Sequence, residues 1–139
     1  MKYLMYTGYR ECISNLSREN IPRGRGMYVI HVDNSAFFCK VMKAFLRELG
    51  VDSDSYNRGG DALDVIGARK VSCVITGLEL ADMKGEEFIK QLLFSGHSMT
   101  IIAVTSSRND ERVQKLASLG VKTTIQKGGD WKEKLREYF

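Results

Sequence analysis

VITGLELADMKG, residues 74–85, carries a short apolar run into a polar loop and then into the start of a helix. A parallel α/β domain presents a site in this way, because the carboxyl end of a buried strand opens onto the loop that follows it. The residue at the mouth of the strand is Gly77, which has no side chain and can do no chemistry. The position best placed to act is empty.

Outward from this stretch, strand-like and helical runs alternate. VSCVIT (71–76) is apolar almost throughout, as a strand covered on both faces should be. GEEFIKQLLFSG then reads as a helix and TIIAVT (100–105) as another buried strand. NDERVQKLASLG opens on Asn109, a good N-cap, and closes on Gly120; VKTTI (121–125) and the helix DWKEKLREYF follow. Upstream, MYVIHV (27–32) is strand-like. In SAFFCKVMKAFLRELG the residues Phe38, Val41, Met42, Phe45, Leu46 and Leu49 recur at helical spacing, with Gly50 at the C-terminal cap. VDSDSY (51–56) alternates weakly, as an edge strand would, and GDALDVIGARK is a helix with Leu63, Val65 and Ile66 inward. Phe37, Phe38 and Phe45 are expected in the core, and Trp131, Tyr138 and Phe139 are expected to anchor the last helix.

Five βα units over residues 27–139 predict right-handed crossovers into a parallel sheet covered on both faces. Such sheets place their sites at the carboxyl ends of the strands, which selects Asp33, Asn34, Gly77, Thr105 and Lys127. Residues 1–26 form an N-terminal extension in which Tyr9, Cys12 or Ile13, and Leu16 could line a short helix over 9–19. ENIPRGRG (19–26) then reads as a basic linker.

The chain of 139 residues suits one domain with its own core. No apolar run approaches the roughly 20 residues that span a bilayer, and the first residues do not form a signal peptide. Three scattered cysteines and two isolated histidines predict free thiols in a reducing, cytoplasmic setting, with neither a metal cluster nor a Cys–His nucleophile pair. The net charge is +4, but residues 1–26 hold five basic and two acidic side chains, leaving the rest almost neutral. That distribution gives little support to a nucleic-acid face.

Four stretches, VIHVDNSAFFCKVMKAFLRELG, VITGLELADMKGEEF, IIAVTSS and TIQKG, resemble in order and spacing the signature stretches of response-regulator receiver domains, the CheY-like family. The resemblance covers residues 27–139 and implies the flavodoxin-like strand order 2-1-3-4-5. In that family two acids after the first strand and a phosphoacceptor aspartate after the third hold magnesium. A Thr or Ser after the fourth strand and a Lys after the fifth contact the phosphoryl group. Here Asp33 matches the first acid, Asn34 the second, Gly77 the phosphoacceptor, Thr105 the hydroxyl and Lys127 the lysine. Ala81 and Gly128 replace customary prolines, and Thr124 stands at the aromatic switch position.

With the nucleophile and two charged oxygen ligands missing, the resemblance implies no cofactor, no tight magnesium site and no enzymatic activity. Lys127 and Asp33 would face each other and fix one conformation of the 105–109 loop. The expected function is that of a pseudo-receiver in two-component or phosphorelay signalling, binding protein partners without phosphorylation. Its partner face would be the fourth helix, fifth strand and fifth helix, including Lys115, Lys122 and Lys132. Expected partners are a kinase, chemotaxis or motility component, with self-association through the basic lead as a further contact; membrane insertion and nucleic acid are not expected. Two alternatives stand beside this reading. One is a working response regulator phosphorylated at Glu79, Asp82 or Asp33; the other is a small-ligand or nucleic-acid binding module.

Overall fold

The computed structural model describes residues 26–139. The elements alternate throughout: β1 Tyr28–Val32, α1 Ala36–Glu48, β2 Asp52–Tyr56, α2 Gly59–Ala68, β3 Cys73–Thr76, α3 Gly85–Phe94, β4 Thr100–Thr105, α4 Asp110–Ser118, β5 Thr123–Gln126 and α5 Trp131–Arg136. All strand pairs are parallel and the sheet order is β2-β1-β3-β4-β5, the flavodoxin-like 2-1-3-4-5 order. The expected short helix and basic linker fall in residues 1–25, outside the described residues.

Strand alternation divides the core between two faces. Ile30 and Val32 of β1, Val74 of β3 and Ile101 and Ala103 of β4 pack against α2, α3 and α4, where Ala62, Phe88, Ile89 and Leu116 meet them. Val29, Cys73, Ile75, Ile102, Val104 and Ile125 face the opposite way, onto Met42, Phe45 and Leu46 of α1 and Leu135 of α5. Each fully buried aliphatic or aromatic side chain contributes roughly 1.5–3 kcal/mol. The two apolar layers therefore hold the strand ends in register. β2 lies on the edge and is the most polar strand.

Local signals set the element boundaries. Ser35 caps α1 by accepting the Phe38 N–H at 3.1 Å, and Asn109 caps α4 by accepting the Arg112 N–H at 3.0 Å. Gly50 and Gly120 leave α1 and α4 at φ of 77° and 102°, which β-carbon-bearing residues disfavour. Some boundaries differ from the sequence reading, and β3 starts at Cys73 rather than residue 71. β5 starts at Thr123, two residues late, and α5 ends at Arg136.

The core expectation fails for Phe37, which is 77% exposed at the first turn of α1, whereas Phe38 and Phe45 are buried. Adjacent helix positions point about 100° apart, and Phe37 falls on the side of α1 away from the sheet. Phe38 and Phe45 instead stack around Trp131, with centroids 5.1 and 5.4 Å away, and Phe139 is buried beneath α5. The last helix is anchored as its aromatic residues suggested.

Candidate functional site

The chain reverses direction across the sheet between β1 and β3, and the two carboxyl ends there open a recess of about 190 Å³. Asp33, Asn34, Gly77, Thr105 and Lys127 all line it. Backbone pairing fixes the recess floor: the Asp33 N–H donates to Tyr56 O at 3.0 Å, and the Gly77 N–H donates to Val32 O at 2.8 Å.

Asp33 and Lys127 meet directly. Lys127 Nζ lies 2.9 Å from Asp33 Oδ2, with the carboxylate side chain 6% exposed and the lysine 22%. The Ser35 N–H donates to Asp33 Oδ1 at 2.8 Å, so both carboxylate oxygens are satisfied from within the chain. The lysine stem crosses Phe38, its ammonium 4.2 Å from the ring centroid. This is a closed pair, partly buried and aromatic-backed.

Gly77 leaves room for that closure. A β-carbon at Gly77 would sit 2.8 Å from Asp33 Oδ2. The carboxylate thus occupies the space into which any side chain at position 77 would project.

The other acids near the recess are committed elsewhere. Glu79 is half exposed and turned outward, bonded to Lys84 Nζ at 2.6 Å and to Arg112 Nη1 at 2.8 Å; these hydrogen bonds hold its carboxyl below the usual range. Its backbone carbonyl accepts the Asn34 N–H at 3.3 Å. Asp82 reaches back to cap α2, accepting from the Gly59 N–H at 2.7 Å and the Gly60 N–H at 2.9 Å. Desolvation pushes the Asp82 carboxyl up, but the Gly60 and Gly59 amides outweigh it and hold it down.

Hydrogen bonds at Ser107 tie the loop after β4. Thr105, 5% exposed, accepts the Ser107 N–H at its Oγ1 (3.0 Å), and Gln126 Nε2 donates to Ser107 O at 2.7 Å. Arg112 of α4 then donates to Glu86 through Nε at 2.5 Å and Nη2 at 2.9 Å, and to Leu78 O at 2.9 Å. Hydrogen bonding to Arg112 holds Glu86 below the usual carboxylate range and raises the guanidinium in turn. A single side chain bolts α4 to α3 and to the β3–α3 loop. Thr124 is half-buried in β5 opposite Ala103 and carries no aromatic ring. Lys115, Lys122 and Lys132 are exposed on or beside α4, β5 and α5, but the exposed large hydrophobic side chains among the described residues, Phe37, Leu93 and Phe94, lie elsewhere.

The donor set does not fit magnesium. A hard divalent cation needs several oxygens in near-octahedral array, whereas of the two carboxylates lining the recess Asp33 is already bonded to an ammonium and an amide and Glu79 to Lys84 and Arg112. Asn34 offers a neutral side chain and Gly77 offers none. No group of three or more His, Cys, Asp or Glu able to hold a metal occurs among the described residues.

Beneath the site lies His31, fully buried in β1. Its Nδ1 pairs with Ser55 Oγ at 3.1 Å, while its Nε2 has no partner. Burial lowers its pKa to about 4; the nearby Asp33 opposes the shift and Lys127 adds to it. The folded value lies below the unfolded value of roughly 6.5, so the stability contribution is complete above that pH and is lost as pH falls toward 4. Between pH 7 and pH 5 the expected loss is about 2 kcal/mol. His31→Leu should remove that slope and the orphan nitrogen together, as read by urea denaturation at the two pH values. An unchanged slope would assign the acid sensitivity to other groups.

The sequence does not point to Arg112 or Gly85, and it offers Asp82 only as an alternative phosphoacceptor, not as the cap of α2. Arg112 and Glu86 are 26 positions apart with no local pattern joining them, so only the packing of α4 beside α3 reveals the pair. Asp82 follows the third strand at a position that gives no hint of the α2 N-terminus it caps.

A family model described as Response regulator receiver domain matches residues 29–138. No curated protein matches the chain. Among solved structures, a CheY-like receiver domain from Methylobacillus flagellatus is 23% identical with a TM-score of 0.70, the match covering 81% of this chain and 97% of that one. Chemotaxis response regulator CheY4 of Vibrio cholerae is 19% identical with a TM-score of 0.73, at 81% and 97% coverage. RcsB from Salmonella enterica serovar Typhimurium, bound to promoter rprA, is 17% identical with a TM-score of 0.73, at 81% and 65% coverage. The fold therefore occurs within a DNA-bound protein. No helix of the described residues is long and apolar enough to cross a membrane.

Proposed function

Because the chain belongs to the response regulator receiver domain family, we propose that it is a receiver that has kept the fold and given up phosphoryl transfer, acting by binding a protein partner in one standing conformation. The observation that carries this reading is the closed Asp33–Lys127 pair over Gly77. Acyl phosphate formation needs a free carboxylate oxygen as nucleophile and positive charge left over for the phosphoryl oxygens. Here the recess carboxylate and the recess cation neutralise each other. The bonds through Thr105, Gln126 and Arg112 support a fixed loop after β4, so the two-state element that phosphorylation would bias is held in one state.

A second reading has one observation in its favour. Asp33 Oδ2 lies 2.8 Å from the β-carbon position of residue 77, close to the ground a phosphoacceptor would occupy. For Asp33 to act, it would have to leave both Lys127 and the Ser35 amide. Glu79 and Asp82 have no comparable claim, being bound to Arg112 and to the α2 amides.

The reading implies that partner binding ignores phosphodonors. Proteins of the source organism retained on the immobilised chain should be the same with and without acetyl phosphate and magnesium. A component gained or lost on adding the phosphodonor would contradict a constitutive binder.

A further inference from the structure

The surface that departs furthest from an ordinary solvated face lies on α3, away from the recess. Leu93 and Phe94, consecutive at its C-terminal end, are 46% and 95% exposed. Glu87 and Lys90 line with Phe94 a hollow of about 400 Å³ and also border a groove of about 510 Å³ between α3 and α4. Its floor is internally satisfied, because Arg112 engages Glu86 in two hydrogen bonds. Its rim is different. Glu87 and Lys90 of α3 and Glu111 and Lys115 of α4 line the groove, and among the described residues none of the four forms an ion pair; Glu87 accepts only the Gln91 amide, at 3.2 Å.

The order of these charges specifies an occupant. Both helices return from the carboxyl edge of the sheet to the start of the next parallel strand, so they run in the same direction. In each, the acid comes first and the base follows by three or four residues, Glu87 before Lys90 and Glu111 before Lys115. A ligand of one charge sign, such as a nucleic acid or an acidic peptide, would be repelled by half of this rim. A second copy laid antiparallel across the groove meets a base opposite every acid. A twofold axis produces that arrangement without further adjustment, since an isologous interface presents residue i to j and j to i.

The geometry points to the α3–α4 face as a self-complementary dimer interface, with Phe94 as its apolar anchor and Glu87 and Lys90 exchanged between copies. An aromatic that protrudes from one subunit and is covered in the pair, ringed by charges that match, is the usual composition of such a contact. The inference is independent of whether the recess transfers phosphoryl groups. It uses the α3 side of α4 and leaves β5 and α5 open to another protein.

Sedimentation velocity of the full chain over a concentration series tests it. A monomer–dimer equilibrium is expected, and Phe94→Glu should raise the dimer Kd by about thirtyfold or more. Glu87→Lys and Lys90→Glu should each weaken the dimer, while the two together should restore it, a rescue that a merely structural role for either residue would not give. Circular dichroism of these surface variants should match the native chain. A chain that stays monomeric into the millimolar range would overturn the proposal. So would a dimer indifferent to Phe94→Glu, or a charge exchange that fails to rescue.

Discussion

Lys127→Met is expected to lower the unfolding free energy by about 3 kcal/mol, the scale for removing one partner from a largely buried ion pair. The variant leaves Asp33, only 6% exposed, with the Ser35 amide as its sole remaining polar contact at the carboxylate. The lost stacking of the ammonium on Phe38 adds roughly 0.5–1 kcal/mol. Asp33→Asn should cost less, because a lysine that is already 22% exposed can carry its charge into solvent along a flexible stem. The double variant should recover much of the loss, since it leaves no orphaned charge. Urea denaturation with an unchanged m-value is the appropriate readout. Two equal, small single-variant effects would mean that solvent screens the pair and that it does not hold the recess closed.

Gly85→Ala should be at least as damaging, with a cost of about 3 kcal/mol or more, at the upper end of what overpacking produces. A β-carbon at Gly85 would sit 2.3 Å from Gly77 O and 2.8 Å from Leu78 Cα. Both are backbone atoms, and no rotamer change relieves them. The variant must push the β3–α3 loop outward, breaking the Gly85 N–H bond to Leu78 O (2.9 Å) and moving the recess wall. Gly67 provides the control. It lies near the end of α2 with nothing within 4 Å of its β-carbon position, so Gly67→Ala should be neutral or stabilising by about 0.5–1 kcal/mol. Thermal unfolding of the two variants side by side separates them. If they behaved alike, the close approach at Gly85 would not be a constraint on the fold.

The parts of this molecule legible in the sequence are those written in short-range pattern. Buried strands such as Cys73–Thr76 announce themselves by apolar runs, and Asn109, Gly50 and Gly120 mark helix ends by the chemistry of single residues. Register at the carboxyl edge followed from strand order, so Asp33, Gly77, Thr105 and Lys127 could be placed around one recess before any distance was known. What could not be read is side-chain commitment. Nothing in the order of residues shows that Arg112 joins Glu86 and Leu78 O, that Asp82 turns away to cap α2, or that Gly85 must pass against a carbonyl. Phe37 shows the complementary case, an apolar residue next to a core position that lies on the solvent side of α1. His31, an isolated histidine in the sequence, is a buried group without a partner for its Nε2.

A carboxylate and an ammonium bonded to each other over Gly77 leave nothing to receive a phosphoryl group. Intact mass of the native chain after incubation with acetyl phosphate and magnesium, with Asp33→Asn treated in parallel, puts the claim to its most direct trial. The prediction is an unchanged mass for both chains. A phosphoryl adduct on the native protein would contradict it, and the loss of that adduct in Asp33→Asn would identify Asp33 as the acceptor.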